Sequence, residues 1–355
     1  MPSATASPIL PPSLVVVTGA NGFIAQHCVA ALLSQGYNVV GTVRSQSKVQ
    51  QVLDTHGQSP NLSIVVVEDI TSTESYVSAL RSKSPSAIFH LAAPFHYDTT
   101  DFEKDLMVPA VRGSTAVLEA AKTLGGIKRI VHTNSFACIY DASKGSQPGK
   151  IYTAEDWSPL TYEDGANAPN PAVAYRASKA VAEKAAWTWM EENPDAGFDL
   201  VGLNPGMVFG PFLPGAVPSS IANLNTSNKL VWDVVSAGEG NDVPPTKAPV
   251  WVSVADTALA HVKTLQVPEA RGERYLLAAG VYCNQEIADT ARAIAGNHIS
   301  RVPRGLPGAR EADTHFGVDA TRSEGALGIQ WQTLSDVLAE LLPQLYLIEA
   351  GSRPA

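Results

Sequence analysis

Tyr175 and Lys179 stand four residues apart in Val173-Ala-Tyr175-Arg-Ala-Ser-Lys179-Ala-Val-Ala-Glu183. On a helix that spacing places both side chains on one face, one above the other. A phenol, with a reference pKa of roughly 10, is a poor acid or base near neutrality. A neighbouring ammonium favours the phenolate, so Lys179 would draw that pKa toward a range useful for proton transfer. The same pair on a solvated helix face would do nothing. Its meaning depends on what the rest of the chain places beside it.

Upstream, Leu14-Val-Val-Val-Thr18 is a short apolar run that ends in Gly19-Ala-Asn21-Gly22-Phe23-Ile24-Ala25. Ile24, Cys28, Ala31 and Leu32 then recur at helical spacing up to Gly36, and Tyr37 to Val43 reads as a second buried strand. Strand, glycine-rich turn, helix and strand within about 30 residues is the βαβ unit that binds dinucleotides. The glycines let the backbone turn sharply and approach a pyrophosphate, whose charge meets the N–H groups and dipole of the helix start. The spacing is Gly-x-x-Gly with Ala25 at the third small position, and no Lys-Ser/Thr follows Gly22, which rules out a P-loop. Where an acid would bind the ribose hydroxyls of NAD, the chain has Arg44, with Lys48 one helical turn on. Two cations there suit the 2′-phosphate of NADP. The plain alternative is two ordinary surface cations.

The alternation continues through Leu62 to Val67, Ala87 to Leu91, a helical pattern from 102 to 124, Ile127 to Thr133, and Phe198 to Leu203. Strands alternating with helices call for an α/β fold, a doubly wound parallel sheet of the Rossmann kind. Ligands bind such a sheet beyond the carboxyl ends of its strands. Strand-end residues are therefore candidates. Asp69, followed by Ile70, would accept from an adenine amino group or cap the next helix. Ala92 and Ala93 are small enough to let the chain pass close to a cofactor. Ser135 ends the fifth strand, where a polar residue also serves as a turn former. The stretch 141–171, rich in Pro, Gly, Asn and acids, reads as a long surface loop of the kind often attached to function.

The 355 residues exceed one typical domain. Residues 13–205 are expected to form the dinucleotide-binding domain, with 250–267 rejoining it, and 206–249 plus 268–350 a smaller α/β substrate lobe. Glu273 to Ala279, Gln285 to Ala295 and Leu334 to Leu347 read as a strand and two helices of that lobe. Hydrophobic content of 45% with 17% charged residues fits a soluble globular chain. A net charge of -9 argues against a nucleic-acid surface. Cys28, Cys138 and Cys283 lie far apart without metal-ligand spacing, and read as reduced core residues. His90, His96 and His261 lack ligand-like partners and read as structural, so no metal site is expected. Asn225-Thr-Ser matches a glycosylation pattern but reads as a turn. The N-terminus lacks the basic and apolar regions of a signal peptide, and no segment approaches the roughly 18 uninterrupted apolar residues of a spanning helix. The expected address is cytoplasmic, with no membrane partner.

Assembled, Gly19-x-x-Gly22, Ser135 and Tyr175-x-x-x-Lys179 resemble the short-chain dehydrogenase/reductase superfamily. The length, Thr18 to Ile24, His90-Leu-Ala-Ala93 and Asn204-Pro205-x-x-Val208-Phe209-Gly-Pro211 are similar to its extended branch. Arg44 with Lys48, Glu155-Asp-Trp157 and Val252 to His261 resemble the NADPH-dependent carbonyl reductases of the fungal aldehyde/methylglyoxal reductase and plant dihydroflavonol reductase type. The likeness runs from about Leu14 to Leu347. Asn134 stands where a second serine is common, and Tyr175 lacks the flanking Trp and Cys of the cinnamoyl-CoA reductases, which weakens a CoA-thioester substrate.

The resemblance implies an NADP(H)-dependent oxidoreductase that moves a hydride to an aldehyde or ketone and yields a chiral alcohol. Tyr175 would be the general acid, Ser135 would hold the carbonyl oxygen, and Lys179 would hold the nicotinamide ribose and depress the tyrosine pKa. Gly19, Asn21, Gly22, Phe23, Ile24, Arg44, Lys48, Asp69, Ile70, Ala92, Ala93, Tyr175, Lys179, Pro205 and Val208 would contact the cofactor, with Asn204 also at its nicotinamide end. Phe95, Val208, Phe209, Phe212 and Trp232 are candidates for the substrate pocket, with core packing as the alternative for each. The partner would be a small carbonyl compound, and the protein a monomer or homodimer. A nucleotide-sugar epimerase or dehydratase, and a non-catalytic NADP sensor, share the fold. Arg44 argues against the first, and the complete Ser/Tyr/Lys set against the second.

Overall fold

The structure, a computed structural model, describes residues 7–57, 59–93, 99–310 and 315–351. Val15, Val16 and Val17 are wholly buried. Successive strand residues face opposite sides, so both faces of this strand must be covered, as in a parallel sheet sandwiched by helices.

The elements run β1 (Leu14–Thr18), α1 (Phe23–Ser34), β2 (Asn38–Val43), α2 (Val49–Thr55), β3 (Leu62–Val66), α3 (Thr73–Leu80), β4 (Ala87–His90), α4 (Val108–Leu124) and β5 (Arg129–Thr133). After β6 (Ile151–Tyr152) and α5 (Tyr162–Ala166) come α6 (Pro171–Glu192), β7 (Asp199–Pro205), β8 (Met207–Phe209) and α7 (Thr226–Val235). The chain ends with β9 (Val250–Ser253), α8 (Val254–Gln266), β10 (Arg274–Leu277), β11 (Gly280–Val281), α9 (Asn284–Ile294), β12 (Gly317–Val318), α10 (Thr321–Leu327) and α11 (Leu334–Glu349).

Seven parallel strands form one sheet in the order β10-β7-β5-β4-β1-β2-β3. Val16 pairs with Val40 of β2 on one side and with Ile88 of β4 on the other. The strand order reverses at β1, where a doubly wound sheet opens its ligand crevice. Val15 and Val17 pack with Cys28, Val29 and Leu32 of α1 and Val262 and Leu265 of α8. Val16 faces the other way, onto Val77 and Leu80 of α3 and Val117 and Leu118 of α4.

A second core gathers α7, α9 and α11 around Phe209, Trp251 and Tyr282, on a three-stranded sheet ordered β11-β9-β8. Three expectations change here. The strand expected in the smaller lobe from 273 to 279 is instead β10, the edge of the main sheet, because Tyr275, Leu276 and Leu277 are all buried and pair with β7. The segment 250–267 divides, with β9 in the small sheet and α8 lying against α1 on the main one. The loop 141–171 carries β6 and α5, the latter started by a capping box between Thr161 and Asp164. Cys28, Cys138 and Cys283 are free and buried. Among the described residues no helix is long and apolar enough to cross a membrane.

Candidate active site

β1 passes the chain to α1 through Gly19 to Gly22. Gly19 has φ +65°, and a Cβ there would lie 3.1 Å from Ala92 Cα. Left-handed backbone and close approach both require glycine. Gly22 is the N-cap of α1 and supplies no side-chain cap, so first-turn N–H groups remain for an anion. Thr18 Oγ1 accepts from the amides of Leu91 (3.0 Å) and Ala92 (2.9 Å), tying the end of β1 to the end of β4.

α6 begins at Asn170, whose side chain accepts from Val173 N at 3.1 Å, with Pro171 in the first turn. Its buried face is mostly alanine (174, 177, 180, 182 and 186), which lets it lie close to α4. That packing turns Tyr175 and Lys179 into the crevice. Ser135 follows β5, and its Oγ accepts from Ala137 N at 3.1 Å. The bond fixes the side chain and leaves the hydroxyl proton to be donated. Ser135, Tyr175 and Lys179 line one cavity of about 400 Å³ together with Gly19, Gly22, Phe23, Ile24, Ala93, Pro205 and Val208. Residues from five distant parts of the chain thus meet at the carboxyl ends of the strands.

Lys179 is half-buried. Desolvation lowers its pKa, while the nearby Cys138 and Glu183 act to raise it. His90, His132 and Asn134 line a small space that Lys179 also borders. Burial holds His90 well below the usual histidine range and His132 at about 4. Both rings are therefore neutral near pH 7 and add no charge beside the lysine.

Other expected site residues distribute differently. Arg44 is exposed at the end of β2 and makes no hydrogen bond or ion pair with a described residue. Lys48 donates to Gln51 Oε1 at 3.3 Å and borders an adjoining cavity of about 700 Å³ with Asn21, Gln26, His27 and the loop from Phe212 to Ser219. Asp69 Oδ1 accepts from Thr71 N (2.8 Å) and Thr71 Oγ1 (2.7 Å), while the cap of α3 is Ser72, not Asp69. Ile70 packs toward Gly113 of α4. Ala92 lies against Gly19 rather than on the cavity that Tyr175 lines.

Asn204 was expected beside the nicotinamide, but it is buried and its Nδ2 donates to Glu183 Oε1 at 3.1 Å. Strand alternation sends its neighbour Pro205 to the cavity and Asn204 away from it. Phe209 is likewise a core residue, 5.3 Å from the Tyr282 ring, and Trp232 packs on Tyr346; neither lines the cavity. Phe212 sits 5.3 Å from Phe23 on the adjoining cavity. Phe95 and His96 lie outside the described residues. Met207, Asn225, Thr226 and Ser227 line the cavity without having been anticipated. The Asn-Thr-Ser run before an apolar stretch is a helix-start signal that would have placed the last three at the head of α7.

Residues 15–278 match the NAD dependent epimerase/dehydratase family. Over 342 residues the chain is 33% identical to the NADPH-dependent methylglyoxal reductase GRE2 of Saccharomyces cerevisiae, covering 94% of this chain and 98% of that one. It is 34% identical over 336 residues to the ketoreductase azaE of Aspergillus niger, covering 93% and 97%. The crystal structure of the yeast methylglyoxal/isovaleraldehyde reductase Gre2 complexed with NADPH superposes with a TM-score of 0.89 at 32% identity, over 95% of this chain and 99% of that one.

Proposed function

The chain belongs to the NAD dependent epimerase/dehydratase family, and we propose that within it this protein is an NADPH-dependent carbonyl reductase that converts an aldehyde or ketone into an alcohol. The observation that carries the reading is the meeting of Ser135, Tyr175 and Lys179 on the cavity that also reaches Gly19 and Gly22. The relatives named as methylglyoxal reductase and ketoreductase support it.

The residues present fit NADP(H). A Cβ at Gly19 or Gly22 would intrude on a tight turn, the first turn of α1 keeps its N–H groups, and Arg44 stands uncommitted where an NAD enzyme would carry an acid. Bound there, NADPH would supply the hydride. The chain's own groups do the remaining work. Ser135 donates its hydroxyl proton to the carbonyl oxygen and so orients it. Tyr175 gives its proton to that oxygen as negative charge develops. Lys179 favours the phenolate left behind and holds the nicotinamide ribose.

The test is NADPH oxidation, followed optically, over a panel of methylglyoxal, ketoesters, aryl ketones and aldehydes, with NADH in parallel. Consumption of NADPH with some members, and little of NADH, is expected. Tight NADPH binding without turnover of any carbonyl compound would contradict the reading and favour a cofactor sensor. A marked NADH preference would favour an epimerase or dehydratase.

A further inference from the structure

A buried polar network lies just outside the catalytic trio. Glu183, one turn beyond Lys179 on α6, is wholly buried, and Arg274, the first residue of β10, is 8% exposed. Arg274 Nε and Nη2 donate to the two carboxylate oxygens of Glu183, each at 2.8 Å. Its Nη1 donates to the carbonyls of Ala154 and Asp156, and Nη2 also donates to Cys138 O at 3.2 Å. All five guanidinium N–H donors are thereby used. The indole of Trp157 covers the guanidinium at 3.8 Å. Glu183 Oε1 additionally accepts from Asn204 Nδ2 at 3.1 Å. The carboxylate has its space because Gly202, paired with Arg274 across β7 and β10, has no side chain; a Cβ there would lie 3.0 Å from Glu183 Oε1.

A buried ion pair is a weak source of stability, since desolvation offsets most of its attraction. What distinguishes this one is what it ties together. Cys138 is in the turn that begins at Ser135, Glu183 is on the helix of Tyr175 and Lys179, and Asn204 precedes Pro205, which walls the cavity. Every element that presents a catalytic side chain is thus fastened to one guanidinium, directly or through one carboxylate.

We propose that Arg274, acting through Glu183, is a positioning residue that sets the placement of Ser135 relative to Tyr175 and Lys179. The inference rests on the reductase reading of the cavity. A planar fork is needed for it, because only arginine can hold the carboxylate bidentately and reach the carbonyls on both flanks.

The experiment compares the full-length protein with Arg274→Lys and Asn204→Leu, measuring melting temperature, NADPH affinity, and kcat and KM for a carbonyl compound that the unaltered protein reduces. Arg274→Lys keeps the charge balance but loses the fork. A misplacement of catalytic groups by about 1 Å costs on the order of 100-fold, so kcat should fall between about tenfold and 100-fold, with KM and NADPH affinity within about threefold. Asn204→Leu cuts only the tie from Glu183 to β7 and removes a buried amide oxygen that has no partner. It should melt with the unaltered protein and lose kcat about tenfold. A folded Arg274→Lys protein with unchanged kcat overturns the inference. Should that variant fail to fold, an unchanged kcat in Asn204→Leu does so instead. An unaltered protein that reduces none of the carbonyl compounds would refute the reductase reading itself, a separate outcome.

Discussion

The imidazoles of His90 and His132 stack with ring centroids 5.2 Å apart and planes 22° from parallel, beside the small space that Lys179 borders. Each ring meets a hydroxyl, His90 Nδ1 at 3.1 Å from Thr18 Oγ1 and His132 Nε2 at 2.9 Å from Ser114 Oγ. Two imidazoliums could not share this place. The pair persists because burial keeps both rings neutral.

That neutrality makes stability depend on pH. In the fold, desolvation holds His132, His261 and His27 at about 4, whereas in the unfolded chain each titrates near 6.5, approximately the free histidine value. Between these limits the unfolded chain binds protons that the native chain does not. The stabilisation is complete above about pH 6.5 and is lost as pH falls toward about 4. Melting temperature should therefore drop steadily from pH 7 to pH 5. In His132→Gln the slope should be shallower by about one proton, and an unaltered slope would show that this ring does not contribute.

Gly19 tests the cofactor turn. A left-handed conformation costs a non-glycine residue about 1–2 kcal/mol, and the added Cβ would press on Ala92. Gly19→Ala should retain the α/β circular dichroism spectrum yet bind NADPH at least about tenfold more weakly, the equivalent of roughly 1.4 kcal/mol. Unchanged affinity by fluorescence titration would mean that the turn tolerates a side chain and is not a close cradle.

Arg44 tests the choice of cofactor. A hydrogen bond to a charged group contributes about 1.5–3 kcal/mol, so Arg44→Asp should raise the KM for NADPH roughly 10- to 100-fold. The new carboxylate should also improve use of NADH by accepting from its ribose hydroxyls. Steady-state rates with both cofactors check this. A variant that still prefers NADPH would place the phosphate contact elsewhere, with Lys48 as the next cation to replace.

Local periodicity made much of this legible in the sequence. The run from β1 through the glycine turn to β2 has the strand, helix and strand periods in order, and Tyr175 with Lys179 needs only helical spacing to share a face. Side-chain direction was harder to read. Asn204 and Pro205 are consecutive on a strand and so cannot both face the cavity, and the side each takes is set by Glu183, 21 residues away in the chain. Phe209 and Trp232 are apolar and aromatic whether they pack a core or line a pocket. β10 is a short apolar run that would suit either sheet, and its pairing with β7 is non-local. Arg274 had no spacing signal at all, because its partner Glu183 lies 91 residues earlier.

The most direct test of the central claim is the rate of carbonyl reduction by Tyr175→Phe, measured with NADPH beside the unaltered protein. Removing a general acid costs about 10²- to 10⁴-fold in rate. The account predicts a loss in that range in a variant that still folds and still binds NADPH. A Tyr175→Phe protein that reduces the same substrate at the original rate would contradict it, and the proton would have to come from another group on the cavity.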